Sequence, residues 1–139
     1  MSGFLLDTNV VSEMTRSAPD SRVLAFLGGQ HDLWLPSVVV YELEFGVRLL
    51  PRGRRRDELE AGVAGLIAGY ESRILPLERR EAEWAAELRA QARRSGRVLD
   101  LGDAFIAATA RAHDLAVATR NVVDFEYLDV GAINPWEAS

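Results

Sequence analysis

The chain has 139 residues, 48% of them hydrophobic, and a formal net charge of −5. That length suits one domain over residues 1–139, and the acidic balance excludes a basic coat for nucleic acid. There is no cysteine, which excludes disulfides and thiolate metal sites, and His31 and His113 are the only histidines, too few for an imidazole-built zinc centre.

All sixteen basic residues are arginine. A P-loop needs a lysine for its phosphates, and phosphoaspartate enzymes of the haloacid-dehalogenase kind normally use one as well. No signal peptide is recognisable and no apolar run is long enough to span a bilayer, so a cytoplasmic location is expected.

Phe4-Leu5-Leu6 reads as a buried strand that stops at Asp7-Thr8-Asn9. In an open α/β sheet, ligands sit beyond the carboxyl ends of the strands. Asp7 is therefore placed for chemistry, or else Asp7 or Asn9 simply caps the next helix. Short helices are expected over Val10–Met14 and Ser21–Leu27, the second closed by Gly28-Gly29, followed by a strand at Leu33–Leu35 that ends at Pro36.

Ser37 is expected to cap a helix from Val38 to Leu50. At 100° per residue, Val38, Phe45 and Leu49 share one apolar stripe, and Glu42 lies on it. Glu44 points the other way with Arg48 as a surface pair. An unpaired carboxylate on an apolar face is costly, so Glu42 needs a cation, a hydrogen-bond partner or a cleft; an arginine at the core rim would also serve. The run Arg52-Gly53-Arg54-Arg55-Arg56 is either a solvated connector or a phosphate contact. A glycine-containing helix is expected over Asp57–Tyr70, a strand over Arg73–Leu77, and an amphipathic helix over Glu78–Arg94 with Trp84, Leu88 and Ala92 inward and its charges solvated.

Asp100 can cap a helix starting near Leu101, which sets Asp103 in the first turn, where the helix dipole favours an acid even without a function. Alanines at 104, 107, 108 and 110 make that helix slim. Leu115–Ala118 reads as a strand leaving through Thr119-Arg120-Asn121, an exit like that of the first strand. A last strand is expected near Leu128–Val130. The βα alternation predicts parallel strands covered by helices on both faces.

Asp7, Glu42 and Asp103 stand where a charge needs a reason. If they converge, repulsion raises their pKa values unless a cation intervenes. With no lysine and two histidines, an all-oxygen Mg²⁺ or Mn²⁺ site is the natural neutraliser, and such ions serve phosphoryl chemistry.

Phe4-Leu-Leu-Asp-Thr-Asn, Tyr41-Glu42-Leu43 with Gly46, Asp103-Ala-Phe-Ile-Ala-Ala-Thr-Ala, and Val117-Ala-Thr-Arg-Asn before Asp124-Phe125, with the Asn134-Pro-Trp ending, resemble a PIN domain. They are most similar to the FitB-like branch of VapC-type toxins. The resemblance implies an α/β/α sandwich on a mostly parallel sheet of four or five strands, and metal-dependent endoribonuclease activity. The family's acidic positions match Asp7, Glu42 and Asp103. The fourth falls on Asn121, a departure for which Asn121 itself or Asp124 could compensate. Thr119 resembles the family's hydroxyl near the metal-bound water. The resemblance further implies an RNA substrate, a VapB-type antitoxin whose tail covers the site, and a homodimer. The asparagine keeps a second reading open, a non-catalytic PIN-like module that binds RNA or protein.

Overall fold

The computed structural model describes residues 3–137. Strand β1 (Phe4–Leu6) is followed by α1 (Thr8–Met14) and α2 (Ser21–Gly28), then β2 (Leu33–Pro36), α3 (Ser37–Leu49) and α4 (Arg54–Gly69). A 3₁₀ turn leads into β3 (Ile74–Leu75); α5 (Arg79–Arg94) and α6 (Leu101–Ala112) follow, then β4 (Ala116–Ala118), α7 (Val122–Glu126) and β5 (Ala132–Ile133). The sheet runs β3-β2-β1-β4-β5, every pairing parallel. Leu5 lies beside Trp34 on one side and Val117 on the other.

This order dictates where a site can form. From β1 the chain crosses to β2 and β3 on one side of the sheet, and it reaches β4 and β5 on the other. The gap between β1 and β4 is thus the topological switch point, where loops diverge and leave a crevice beyond the strand ends. The strands are short and apolar because both faces are covered: Leu5, Leu6, Leu35, Val117 and Ala118 are fully buried. Helix α6 lies close behind them through Ala104, Ala107, Ala108 and Ala110, all fully buried. Gly3 makes room where β1 begins, since a β-carbon there would sit 2.3 Å from an Asp32 carboxylate oxygen and 2.6 Å from Leu115 and would displace those side chains.

Several expectations need correction. The last strand is Ala132–Ile133, paired with Val117 and Ala118, and not Leu128–Val130. Residues 127–129 instead form a turn after α7, with Asp129 in the left-handed region at φ 58°. Leu128 and Val130 are buried as loop anchors, and their alternation imitates a strand. Ser37 is the first residue of α3 and makes no capping hydrogen bond. The inward stripe of α3 is Val39, Leu43 and Val47, so Phe45 and Leu49 point outward at 51% and 68% exposure. Arg54–Arg56 form the first turn of α4 and are no connector, with Arg54 paired to Glu58 at 3.1 Å. The third strand is confined to two residues, Ile74 and Leu75.

The α5 charges are not all solvated either. Glu81 is buried, and its Oε1 accepts from the Glu78 N–H at 2.9 Å, closing the first turn of the helix. Its Oε2 faces His113 Nε2 at 3.4 Å and Arg80 at 3.6 Å. Burial works against the Glu81 charge. The Glu78 and Glu81 backbone N–H groups, with Arg80 and His113, outweigh it and hold the carboxyl below the usual range. Glu81→Ala is therefore expected to cost about 1–3 kcal/mol at neutral pH. The ionised carboxylate stabilises above its unfolded-state pKa and ceases to as pH falls through the lower folded-state value. Urea titrations should show the parent–variant gap narrowing in acid; a gap independent of pH would deny Glu81 an ionic role.

Candidate active site

The site starts from the way β1 ends. Asp7 extends the ladder, its N–H donating to the Ala118 carbonyl at 3.0 Å, and then caps α1 by accepting from the Thr8 N–H at 2.7 Å. Capping uses one carboxylate oxygen only, and the second is directed across the crevice. There the fully buried Thr119 hydroxyl donates to Asp7 Oδ2 at 2.7 Å. Thr119 Oγ1 in turn accepts from the Asn121 N–H at 3.0 Å. Asn9 bridges the two exits: its Nδ2 reaches Asp7 Oδ2 at 3.4 Å and Thr119 Oγ1 at 3.5 Å, and its Oδ1 accepts from the Arg120 N–H at 3.2 Å.

Glu42 enters from α3. Its Oε1 accepts from the Thr8 hydroxyl at 2.6 Å, which answers the need for a partner on an outward stripe; among the described residues it has no arginine partner. A β-carbon at Gly102 would lie 3.1 Å from Glu42 Oε2 and 3.1 Å from an Asp100 oxygen. The bare backbone at Gly102 therefore lets the α3 carboxylate approach the start of α6. Asp100 caps α6 through the Gly102 N–H at 3.1 Å, as the sequence predicts, and Asp103 occupies the first turn.

Electrostatics tie these acids together. Burial raises the Asp7 pKa; hydrogen bonds from Thr119 and Thr8 pull it down, and Asp124 pushes it up again. Asp103 is raised to about 7, first by burial and then by repulsion from Asp7, Asp100, Asp124 and Glu42. Five carboxylates thus share one field, and no arginine forms an ion pair with Asp7, Glu42, Asp103 or Asp124 among the described residues. Asp124, on α7, belongs to this field. The Asn121 side chain is exposed and makes no hydrogen bond among the described residues.

The donor set suits a hard divalent cation, being all oxygen, like-charged and without an internal counter-ion. Among the described residues no three of these groups are drawn into a closed cage. That is compatible with Mg²⁺, which keeps several waters and takes one or two carboxylates from the protein.

Thr8 and Asn9 are the site residues not singled out from the sequence, though both stand in the Asp7-Thr8-Asn9 exit. Their roles depend on partners 34 and 110 positions away, which local spacing does not reveal.

The PIN domain family matches residues 4–129. The chain belongs to the PIN-domain family. Among its PIN relatives, the VapC ribonuclease Y4jK of Sinorhizobium fredii is 42% identical, over 96% of this chain and 97% of its own length. The toxin FitB of Neisseria gonorrhoeae is 41% identical, over 95% and 97%. The crystal structure of FitAcB from Neisseria gonorrhoeae superposes with a TM-score of 0.89 at 38% identity, covering 97% of this chain and 99% of that one. The five-stranded parallel sheet with flanking helices is the fold these PIN structures share.

The raised Asp103 pKa has a thermodynamic sign. Between its ordinary value of 3.8 and about 7 the native state holds a proton that the unfolded state has released. Metal-free stability therefore falls as pH rises through that window. Asp103→Asn is expected to remove this slope and, once solvent screening is allowed for, to raise stability above the window by about 1–2 kcal/mol. Thermal melts in chelator check it: parent and variant should coincide near pH 4 and separate by roughly 3–6 °C near pH 8. Equal melting temperatures at both would refute the repulsion.

Proposed function

We propose that this PIN domain is a Mg²⁺- or Mn²⁺-dependent endoribonuclease and the toxin of a toxin–antitoxin pair. The observation that carries the reading is the gathering of Asp7, Glu42, Asp103 and Asp124 at the switch point with no arginine paired to any of them among the described residues, where burial and then their repulsion lift Asp103 to about 7. The relatives named VapC ribonuclease and toxin FitB support the same conclusion. A further relative, at 29% identity, is named a tRNA(fMet)-specific endonuclease.

Asp7 and Asp103 would hold the cation, with Glu42 and Asp124 supplying further negative charge around it. Such an ion would supply Lewis acidity for water activation and positive charge against the phosphodiester. The protein's own work is orientation. Thr119 and the Thr8 N–H fix Asp7 by one hydrogen bond on each oxygen, and the Thr8 hydroxyl fixes Glu42.

The partner is proposed on two grounds. Structural relatives include FitAB bound to an IR36 DNA fragment, at a TM-score of 0.88 and 37% identity. In this chain Tyr41, Phe45 and Leu49 form an exposed apolar stripe on α3, with Tyr41 and Phe45 stacked at 5.9 Å. Exposed patches of this kind mark protein interfaces. A VapB-type antitoxin and a second copy of the chain are the proposed occupants. A cytoplasmic location follows from this role; among the described residues no helix is long and apolar enough to cross a membrane.

Purified protein should cut single-stranded RNA with Mn²⁺ and stop on chelation. Asp7→Asn and Asp103→Asn should each lower the rate at least about 100-fold while staying folded. Uncut RNA from folded, Mn²⁺-loaded protein would favour the non-catalytic binding module, and full activity in either variant would refute the site.

A further inference from the structure

The exit from β4 that carries Thr119 also carries Arg120. Its backbone is fixed from two sides: its N–H donates to Asn9 Oδ1 at 3.2 Å, and the Thr119 hydroxyl before it holds Asp7. Asp124 and Glu137 line the same cleft, yet among the described residues the guanidinium forms an ion pair with neither. It lies over the Trp136 ring at 4.5 Å from the centroid. Trp136 is buried at 5% exposure, which holds its ring under the guanidinium, and its backbone N–H donates to Asn134 Oδ1 at 2.9 Å. Arg120 itself is exposed, which leaves its outer side to solvent.

Beside this stack lies a cleft of about 590 Å³, bordered by Arg120, Asn121, Val123, Ile133, Asn134 and Glu137. Its chemistry is selective. Apolar side chains supply walls, and Asn121 and Asn134 supply amides. The Asn134 oxygen is taken by Trp136, which leaves its NH₂ as donor. Glu137 and the adjoining Asp124 oppose the single guanidinium, so the cleft disfavours a phosphate. A planar, neutral, hydrogen-bonding group suits it better. Unpaired bases stack on guanidinium planes and are read at their edges by such amides.

We propose that the Arg120–Trp136 stack, with Asn121 and Asn134, is a nucleobase subsite that seats a single-stranded RNA nucleotide next to the scissile phosphate. The inference rests on the ribonuclease reading and adds a residue that touches substrate and influences which bond is cut. The charge of Arg120 is secondary in this arrangement; its flat shape on the tryptophan is what the base uses.

The test compares Arg120→Ala, Arg120→Lys and Asn134→Asp. Fluorescence anisotropy of labelled single-stranded RNA is read in a cleavage-blocked Asp103→Asn background, and cut positions are mapped in the active protein with Mn²⁺. Stacking on a planar side chain gives about a tenfold loss of RNA affinity, and it should be nearly equal for alanine and lysine. Asn134→Asp keeps the acceptor for Trp136 and should change the base preference at the cut. Calorimetric Mn²⁺ binding should be unchanged in both Arg120 variants. If lysine binds RNA like the parent while alanine does not, the contact is a phosphate charge and the base subsite is wrong. Affinities and cut positions unchanged in all three variants overturn it outright. If the parent itself neither binds nor cuts RNA with Mn²⁺ bound, the ribonuclease reading fails and takes the subsite with it.

Discussion

The hydrogen bond from the Thr119 hydroxyl to Asp7, 2.7 Å long and wholly buried, is the constraint on which the rest of the structure turns. A carboxylate at the end of a buried strand is costly unless donors meet it. Here one donor comes from the next residue in the chain and the other from a strand 112 positions away. Only parallel pairing of β1 with β4 brings those two exits side by side. The sheet order therefore sets the geometry of the acid, and the acid in return stitches the crevice at the switch point. Asn9 completes the stitch by touching both partners and the backbone of Arg120.

That frame lets the chain store repulsion. Asp7 and Asp103 are both raised, and the arginines that could relieve them are placed elsewhere. Arg48, Arg54 and Arg79 pair along helix surfaces, while Arg73, Arg97, Arg111 and Arg120 lie over aromatic rings. The opposing stabilisation comes from behind the site, where fully buried alanines on α6 pack against β1 and β4. Function placed on a rigid scaffold in this way tolerates an unfavourable local charge balance.

Sequence reasoning reads such a chain unevenly. The β1 and β4 exits, the Asp100 cap and the Glu44–Arg48 pair are legible, because each depends on neighbours within four residues. The core face of α3 is not legible for a physical reason: the helix carries two apolar stripes, and spacing alone does not say which one meets the core. Leu128 and Val130 alternate like a strand, but the left-handed Asp129 between them breaks it. Glu81 looks like any surface glutamate until α6 brings His113 against it. The contribution of Thr8 and the inclusion of Asp124 in the acid field are tertiary facts, set by how α3 and α7 approach the strand ends.

The second stripe of α3 gives Glu42 its particular standing. Glu42 borders a hollow of about 560 Å³ shared with Tyr41, Leu77, Leu101 and Phe105, four of the ring and aliphatic side chains that this face presents. A body that covers those groups must also exclude water from around Glu42, since they share one concavity. Dehydration strengthens the repulsion between Glu42 and Asp103, and a covering partner is then favoured if it brings a positive charge of its own. Coverage of this face and the electrostatics of the acid cluster thus meet at a single carboxylate. The link follows from the helix having one stripe for the core and another, interrupted by an acid, for the outside.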